Sequence, residues 1–184
     1  MSEKKNSFKE FILPIIVLVA ICVFISAAMA AINLITAPKI EEAQKQKEDE
    51  ALSIVVPDNQ GFTRLEIENL PESVVALYSD NGSSAVAVML SIKGYDSSNP
   101  MSVAVGFDGD GKIIGCSVIS CNGETKGIGS KVSDKSFLSR FSGLNDVSSV
   151  DTISGATISS SAFKQAMDDA CKAVEQYRQS EVTK

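Results

Sequence analysis

Met101 to Phe107 (MSVAVGF) and Lys112 to Cys121 (KIIGCSVISC) bracket the tetrad Asp108-Gly109-Asp110-Gly111. Both arms are rich in β-branched residues, and the tetrad places glycines where a tight reversal needs positive φ, so residues 101–121 predict an antiparallel hairpin. A second hairpin precedes it: Val74 to Tyr78 and Ala85 to Ile92 are strand-like and flank the turn signal Ser79-Asp80-Asn81-Gly82. Such a sheet needs an apolar partner, and the C-terminal segment supplies one. Ala162, Phe163, Ala166, Met167, Ala170, Cys171, Val174 and Tyr177 recur at spacings of three and four, while Lys164, Asp168, Asp169, Lys172 and Glu175 take the opposite face. A short helix is expected over Asp134 to Phe141, with Ser133 as its cap. The expected fold class is α+β, antiparallel hairpins packed with helices.

Upstream of the hairpins the chain changes character. Met1 to Glu10 is polar and lysine-bearing, and the 28 positions from Phe11 to Pro38 carry no charge. As a helix that run reaches about 42 Å, and a bilayer core needs about 20 apolar residues, so one tilted transmembrane helix fits, with Pro14 expected in its first turn. Ala28-Met29-Ala30 imitates a signal-peptide cleavage site, but Ala31, Ile32, Leu34 and Ile35 continue the apolar run beyond it, which favours an anchor. Lys4, Lys5 and Lys9 precede the span and Glu41 and Glu42 follow it. The positive-inside bias then puts the N-terminus in the cytoplasm and the rest outside the cell membrane. Lys39 to Ala51 reads as a solvated helical stalk, with Glu41 four residues before Lys45. The expected organisation is a cytoplasmic segment 1–10, a transmembrane helix 11–38, a stalk 39–51 and an extracytoplasmic domain 52–184, opened by Leu52, Ile54, Val55 and Val56 before Pro57-Asp58-Asn59.

Charge and composition exclude several classes of chemistry. Residues 39–184 hold 14 of the 17 basic and 21 of the 23 acidic side chains, a balance of −7, which makes nucleic acid a poor partner. There are no histidines, so the commonest metal ligand and the commonest general base are missing. Neither a metal site nor a catalytic residue is expected. Cys116 and Cys121 point to opposite faces of a regular strand and do not suit a local disulfide; a bridge between Cys121 and Cys171 stays open at this stage.

Two stretches carry chemical promise. Asn122-Gly123-Glu124-Thr125-Lys126-Gly127-Ile128-Gly129-Ser130 leaves a strand with three glycines, which let a backbone approach a flat or phosphorylated ligand, or simply form a turn. Asp151-Thr152-Ile153-Ser154-Gly155-Ala156-Thr157 runs straight into the closing helix, so unpaired N–H groups and the positive end of a helix dipole gather at one point, which suits a phosphate. The simpler alternative is that Ser154 merely caps that helix. Tyr95, Phe107, Phe137 and Phe141 are aromatic candidates for stacking on a ring or for the core.

Taken in order, the apolar anchor, the charged stalk, Gly94-Tyr95, the hairpin around Gly106 to Gly111, the Glu124 to Gly129 loop and the Asp151 to Thr157 motif resemble the flavin-bearing G subunit family of Rnf electron-transport complexes. The related C subunit of sodium-pumping NADH:quinone reductases shares the last motif but is usually longer. The family motif Asp-x-x-Ser-Gly-Ala-Thr is filled here by Asp151, Ser154, Gly155, Ala156 and Thr157. The resemblance implies FMN esterified through its phosphate to Thr157, with Ser154, Gly155, Ala156, Asp151, Glu124, Thr125, Gly127 and Gly129 around the cofactor. Asp151, which repels phosphate, is expected to help bind the metal-bearing transferase complex or to cap the turn. The resemblance also implies electron relay between ferredoxin and NAD coupled to sodium ion or proton transport. Its partners would be the other Rnf subunits, membrane lipid, and a flavin transferase that uses FAD and magnesium. In the family loop a proline stands where this chain has Lys126, often with a histidine nearby, so a less rigid loop is expected here. Other readings are a stand-alone flavinylated carrier, a quinone-reductase-type subunit, or a non-redox scaffold.

Overall fold

The computed structural model describes residues 3–67 and 69–182, and side chains over 12–67 and 69–181. The lysines at positions 4, 5 and 9, on which the topology reading rests, lie outside the described side chains. The chain divides into two units, Met1–Gln46 and Lys47–Lys184. Helix α1 spans Glu3–Val55, so one continuous helix covers the expected span and stalk and runs on into the second unit. Pro14 and Pro38 both lie inside it; Pro14 is not in the first turn, because helical geometry already begins at Glu3.

Among the described residues, the first unit is this helix alone. Leu13, Ile16, Phe24, Met29 and Leu34 are all exposed, and apolar residues surround its whole circumference. Ile12 onward is long and apolar enough to cross a membrane, with none of that window buried by protein, which makes it a candidate membrane span. Beyond it, Lys45 Nζ and Glu41 Oε1 form the expected i, i+4 pair at 3.0 Å. Both side chains are solvated, so the pair contributes about 0.3–0.5 kcal/mol.

The second unit is built on a five-stranded antiparallel sheet in the order β1-β2-β3-β4-β5. The strands are β1 Phe62–Leu65, β2 Val74–Asp80, β3 Val86–Ile92, β4 Met101–Phe107 and β5 Ile113–Ser120. Both hairpins form. In the second, Asp108 Oδ1 accepts the N–H groups of Asp110 and Lys112 at 2.8 and 2.9 Å, and Gly111 takes φ +79°. Gly109 is needed for space rather than for dihedral freedom, since a Cβ there would sit 2.3 Å from Ser84 Oγ. In the first hairpin the strand runs on through Asp80, whose N–H bonds the Ala85 carbonyl at 3.0 Å, so the reversal lies over 81–84, a little later than expected.

Helix α3, Thr157–Val182, closes one face of the sheet. Phe163, Ala166, Met167, Ala170 and Val174 pack there against Leu77, Val86, Val88, Leu90, Val103, Val105 and Phe107. The other face of the central strands is lined by Ala76, Ala87, Met89 and Ala104 and receives Ala51, Leu52, Val55 and Val56 from the end of α1. Small residues on that face let a helix end approach closely: a Cβ on Gly106 would come within 2.1 Å of the Val55 carbonyl oxygen. Because β3 is covered on both faces, it reads VAVMLSI, nearly uninterrupted, instead of alternating.

Three local expectations are corrected. The short helix α2 is only Lys135–Leu138, flanked by 3-10 turns at Gly129–Ser133 and Ser139–Phe141. Ser133 does not cap it; its hydroxyl donates to the Ser130 carbonyl at 2.7 Å, and Asp134 holds the cap position with no side-chain bond. All four cysteines are unpaired thiols. Cys116 and Cys121 nevertheless pack against the same core, because a register shift near Val118 breaks the alternation of β5 before Cys121 is reached.

Candidate functional site

The segment Asp151 to Thr157 forms a tight turn that delivers the chain into α3. Ala156 N–H donates to the Ile153 carbonyl at 3.0 Å, and Gly155, third in the turn, has φ +83°, a conformation glycine adopts without strain. Ser160 braces the turn from below: its hydroxyl donates to the Ala156 carbonyl at 2.8 Å and accepts the Ile153 N–H at 3.0 Å. Lys164, one turn further on, holds the approaching strand of chain by donating to the carbonyls of Ser148 and of Val150, the latter at 2.8 Å.

Ser154 is not the helix cap. The Ala156 carbonyl accepts the Ser160 N–H at 2.9 Å, the first intrahelical bond, so the cap position falls on a residue with no polar side chain. The N–H groups of Thr157, Ile158 and Ser159 consequently have no hydrogen-bond partner among the described residues. Ser154, Gly155 and Thr157 are exposed, Ala156 is buried, and Asp151 lies exposed just before the turn. A Cβ on Gly155 would meet nothing within 4 Å, so the approach to Thr157 is open.

The glycine loop closes on itself without a proline. The Thr125 carbonyl accepts the N–H groups of Ile128 and Ser130, both at 3.1 Å, Gly127 takes φ +75°, and its N–H bonds Ser130 Oγ at 2.9 Å. Thr125, Lys126 and Gly127 are exposed. Glu124 behaves differently from its neighbours: it is only 6% exposed, and both carboxylate oxygens are engaged. Oε1 accepts the Tyr95 N–H at 3.0 Å, and Oε2 accepts the hydroxyl proton of Ser159. Gly94 and Gly129 make room for this carboxylate. A Cβ on Gly94 would lie 1.9 Å from Oε1, and one on Gly129 would lie 2.4 Å from Oε2 and 2.9 Å from Ser159 Oγ.

One buried side chain therefore joins the Gly94-Tyr95 segment, the glycine loop and the first turn of α3, two residues past Thr157. Ser159 and Ser160 escape sequence reasoning as site residues, since a run of three serines at a helix start has no signature that separates a brace from a solvated surface. The aromatic candidates divide cleanly. Phe107, Phe137 and Phe141 are core, and Phe137 and Phe141 meet Phe163 with ring centroids 5.5 Å apart. Tyr95 is 67% exposed, as are, in large part, Ile128 and Ile158 beside the residues that Glu124 joins.

The segment that holds these pieces, residues 94–172, matches the family described as FMN-binding domain. The chain is also 28% identical, over 164 residues, to the G subunit of the proton-translocating ferredoxin:NAD(+) oxidoreductase complex of Clostridium ljungdahlii, a match that covers 83% of this chain and 85% of that protein. The chain is thus similar to that clostridial protein, and the segment that matches the FMN-binding domain family begins at Gly94, where the Glu124 clamp begins.

Proposed function

We propose that this chain is the membrane-anchored G-type subunit of an Rnf ferredoxin:NAD oxidoreductase complex and carries FMN as a phosphoester on Thr157. The observation that carries the reading is the start of α3. An exposed threonine hydroxyl, without a hydrogen-bond partner among the described residues, stands beside unpartnered N–H groups at the positive end of a 26-residue helix, inside an FMN-binding domain. Those residues fit an FMN phosphate: Thr157 Oγ1 is the ester oxygen, and the N–H groups of the first turn meet the remaining phosphate oxygens. When bound, the flavin supplies the electron-transfer chemistry, while the chain supplies tether and orientation.

The attachment balances as a transfer from FAD by a magnesium-dependent flavin transferase. Thr157 Oγ1 attacks the phosphorus on the riboflavin side, an Oγ1–P bond forms, the pyrophosphate P–O bond breaks, AMP leaves, and the hydroxyl proton goes to the transferase or to water. No oxidation accompanies it. A tether suits a domain outside the cell membrane, where a dissociable flavin is lost by diffusion. That location, with the N-terminus in the cytoplasm, is supported by the lysines before the apolar helix and the acidic residues after it. Relay between ferredoxin and NAD, coupled to movement of protons, is supported by likeness to the clostridial protein, whose complex is proton-translocating; the motif resemblance leaves sodium ions as the alternative coupling ion.

The test is in-gel flavin fluorescence of the denatured chain after co-expression with the transferase. Wild type and Thr157→Ser keep the signal and Thr157→Ala loses it. A wild-type chain that is colourless after denaturation contradicts the proposal, and co-purification with other membrane subunits separates a complex subunit from a stand-alone carrier.

A further inference from the structure

We infer that Glu124 is a positioning residue for flavin transfer to Thr157: it acts from beneath the site, by fixing the first turn of α3 to the glycine loop, and does not touch the flavin. The inference rests on the proposed attachment at Thr157. Its basis is a buried carboxylate whose two oxygens are each committed to a partner far away in the chain, Tyr95 at 29 residues and Ser159 at 35. The residue is buried, only 6% exposed. Two glycines are shaped around it, because a side chain at Gly94 or Gly129 would overlap the carboxylate.

The consequence for chemistry follows from α3 geometry. Ser159 lies two residues after Thr157, so its hydroxyl fixes the rotation of the first turn, which has no side-chain cap of its own. The Ser160 brace fixes the turn before Thr157, and the Glu124 bond fixes the turn after it. Between them the Thr157 hydroxyl is held at one place for in-line attack, and a displacement of about 1 Å in such a step costs about 100-fold in rate.

Gln at position 124 separates brace from charge. Its amide oxygen accepts the Tyr95 N–H, and its NH2 donates to Ser159 Oγ, so the clamp survives while the negative charge is gone. Ala at 124 leaves the Ser159 hydroxyl and the Tyr95 N–H without partners.

The experiment measures the initial rate of flavin incorporation into the full-length chain in detergent, with purified transferase, FAD and magnesium, alongside thermal unfolding. Assays run well below the unfolding midpoint of every variant. Glu124→Ala is expected to slow incorporation at least about tenfold. Glu124→Gln restores it to within about threefold of wild type, and Gly129→Ala, which presses on the clamp without removing it, is slowed like Glu124→Ala. Folded Glu124→Ala labelled at the wild-type rate overturns the inference, as does Glu124→Gln as slow as Glu124→Ala, which assigns the effect to charge. A wild-type chain that takes no flavin overturns the attachment reading itself.

Discussion

At the scale of single residues, the site is governed by groups whose partners lie far off in sequence. Glu124 belongs, on sequence grounds, among the residues of a ligand loop; its burial and its bond to Ser159 have no local signature, since a contact 35 residues away leaves no periodicity. Gly94 and Gly129 are legible as glycines but not as clearance for a carboxylate. The thiols illustrate the same dependence on environment. Burial pushes Cys116 up to about 12 and, with help from Asp168 and Asp146, Cys171 up to about 11. At pH 8 both stay protonated, so a thiol reagent should leave them unmodified in the folded protein and modify them in denaturant; rapid native labelling of Cys116 contradicts this placement. Asp80 moves the other way: the Ser83 hydroxyl and then the Gln60 N–H hold its carboxyl below the usual range. Its contribution to stability is therefore present above the unfolded value, about 3.9, and is lost as pH falls through the lower folded value. Ser83→Ala should raise the Asp80 titration midpoint in an NMR pH series, and an unchanged midpoint refutes the assigned cause.

Among elements, those with strong periodicity or strong turn chemistry are legible. Both hairpins and α3 follow from strand-like runs rich in β-branched residues, from Asp-Gly and Asn-Gly reversals and from apolar residues at three and four. The edge strand β1 does not announce itself: Phe62–Leu65 has four residues, and its middle pair, Thr63 and Arg64, is exposed. The segment after β5 reads as one helix because Phe137, Leu138 and Phe141 are apolar at helical spacing, whereas extended geometry at Asp134 and Ser142 confines it to short turns around Phe137 and Phe141, both buried. The Phe137, Phe141 and Phe163 cluster holds α3 to these turns, and with it the helix start that bears Thr157. Phe163→Ala should cost about 3–5 kcal/mol in denaturant unfolding of the detergent-solubilised chain. A loss below about 1 kcal/mol shows that α3 is held by something else.

For the whole molecule, the proposed function divides the work between an apolar helix long enough to cross a membrane, which anchors, and the segment matching the FMN-binding domain family, which carries the cofactor. The candidate span is legible as an uncharged run, while its continuity with the following segment is not, because Glu, Gln and Lys after Pro38 extend the same helix with a polar composition. Orientation is a property of the entire chain and is tested on it: a C-terminal reporter active only outside the cytoplasm should be active, and a reporter that works only inside reverses the assignment. The central claim is the covalent flavin on Thr157, and peptide mapping by mass spectrometry of the transferase-matured chain tests it most directly. The peptide containing Asp151 to Lys164 is predicted to carry one FMN phosphoester on Thr157 and to lose it in Thr157→Ala. Flavin on another residue, or an unmodified Thr157 in fully matured wild type, contradicts the account.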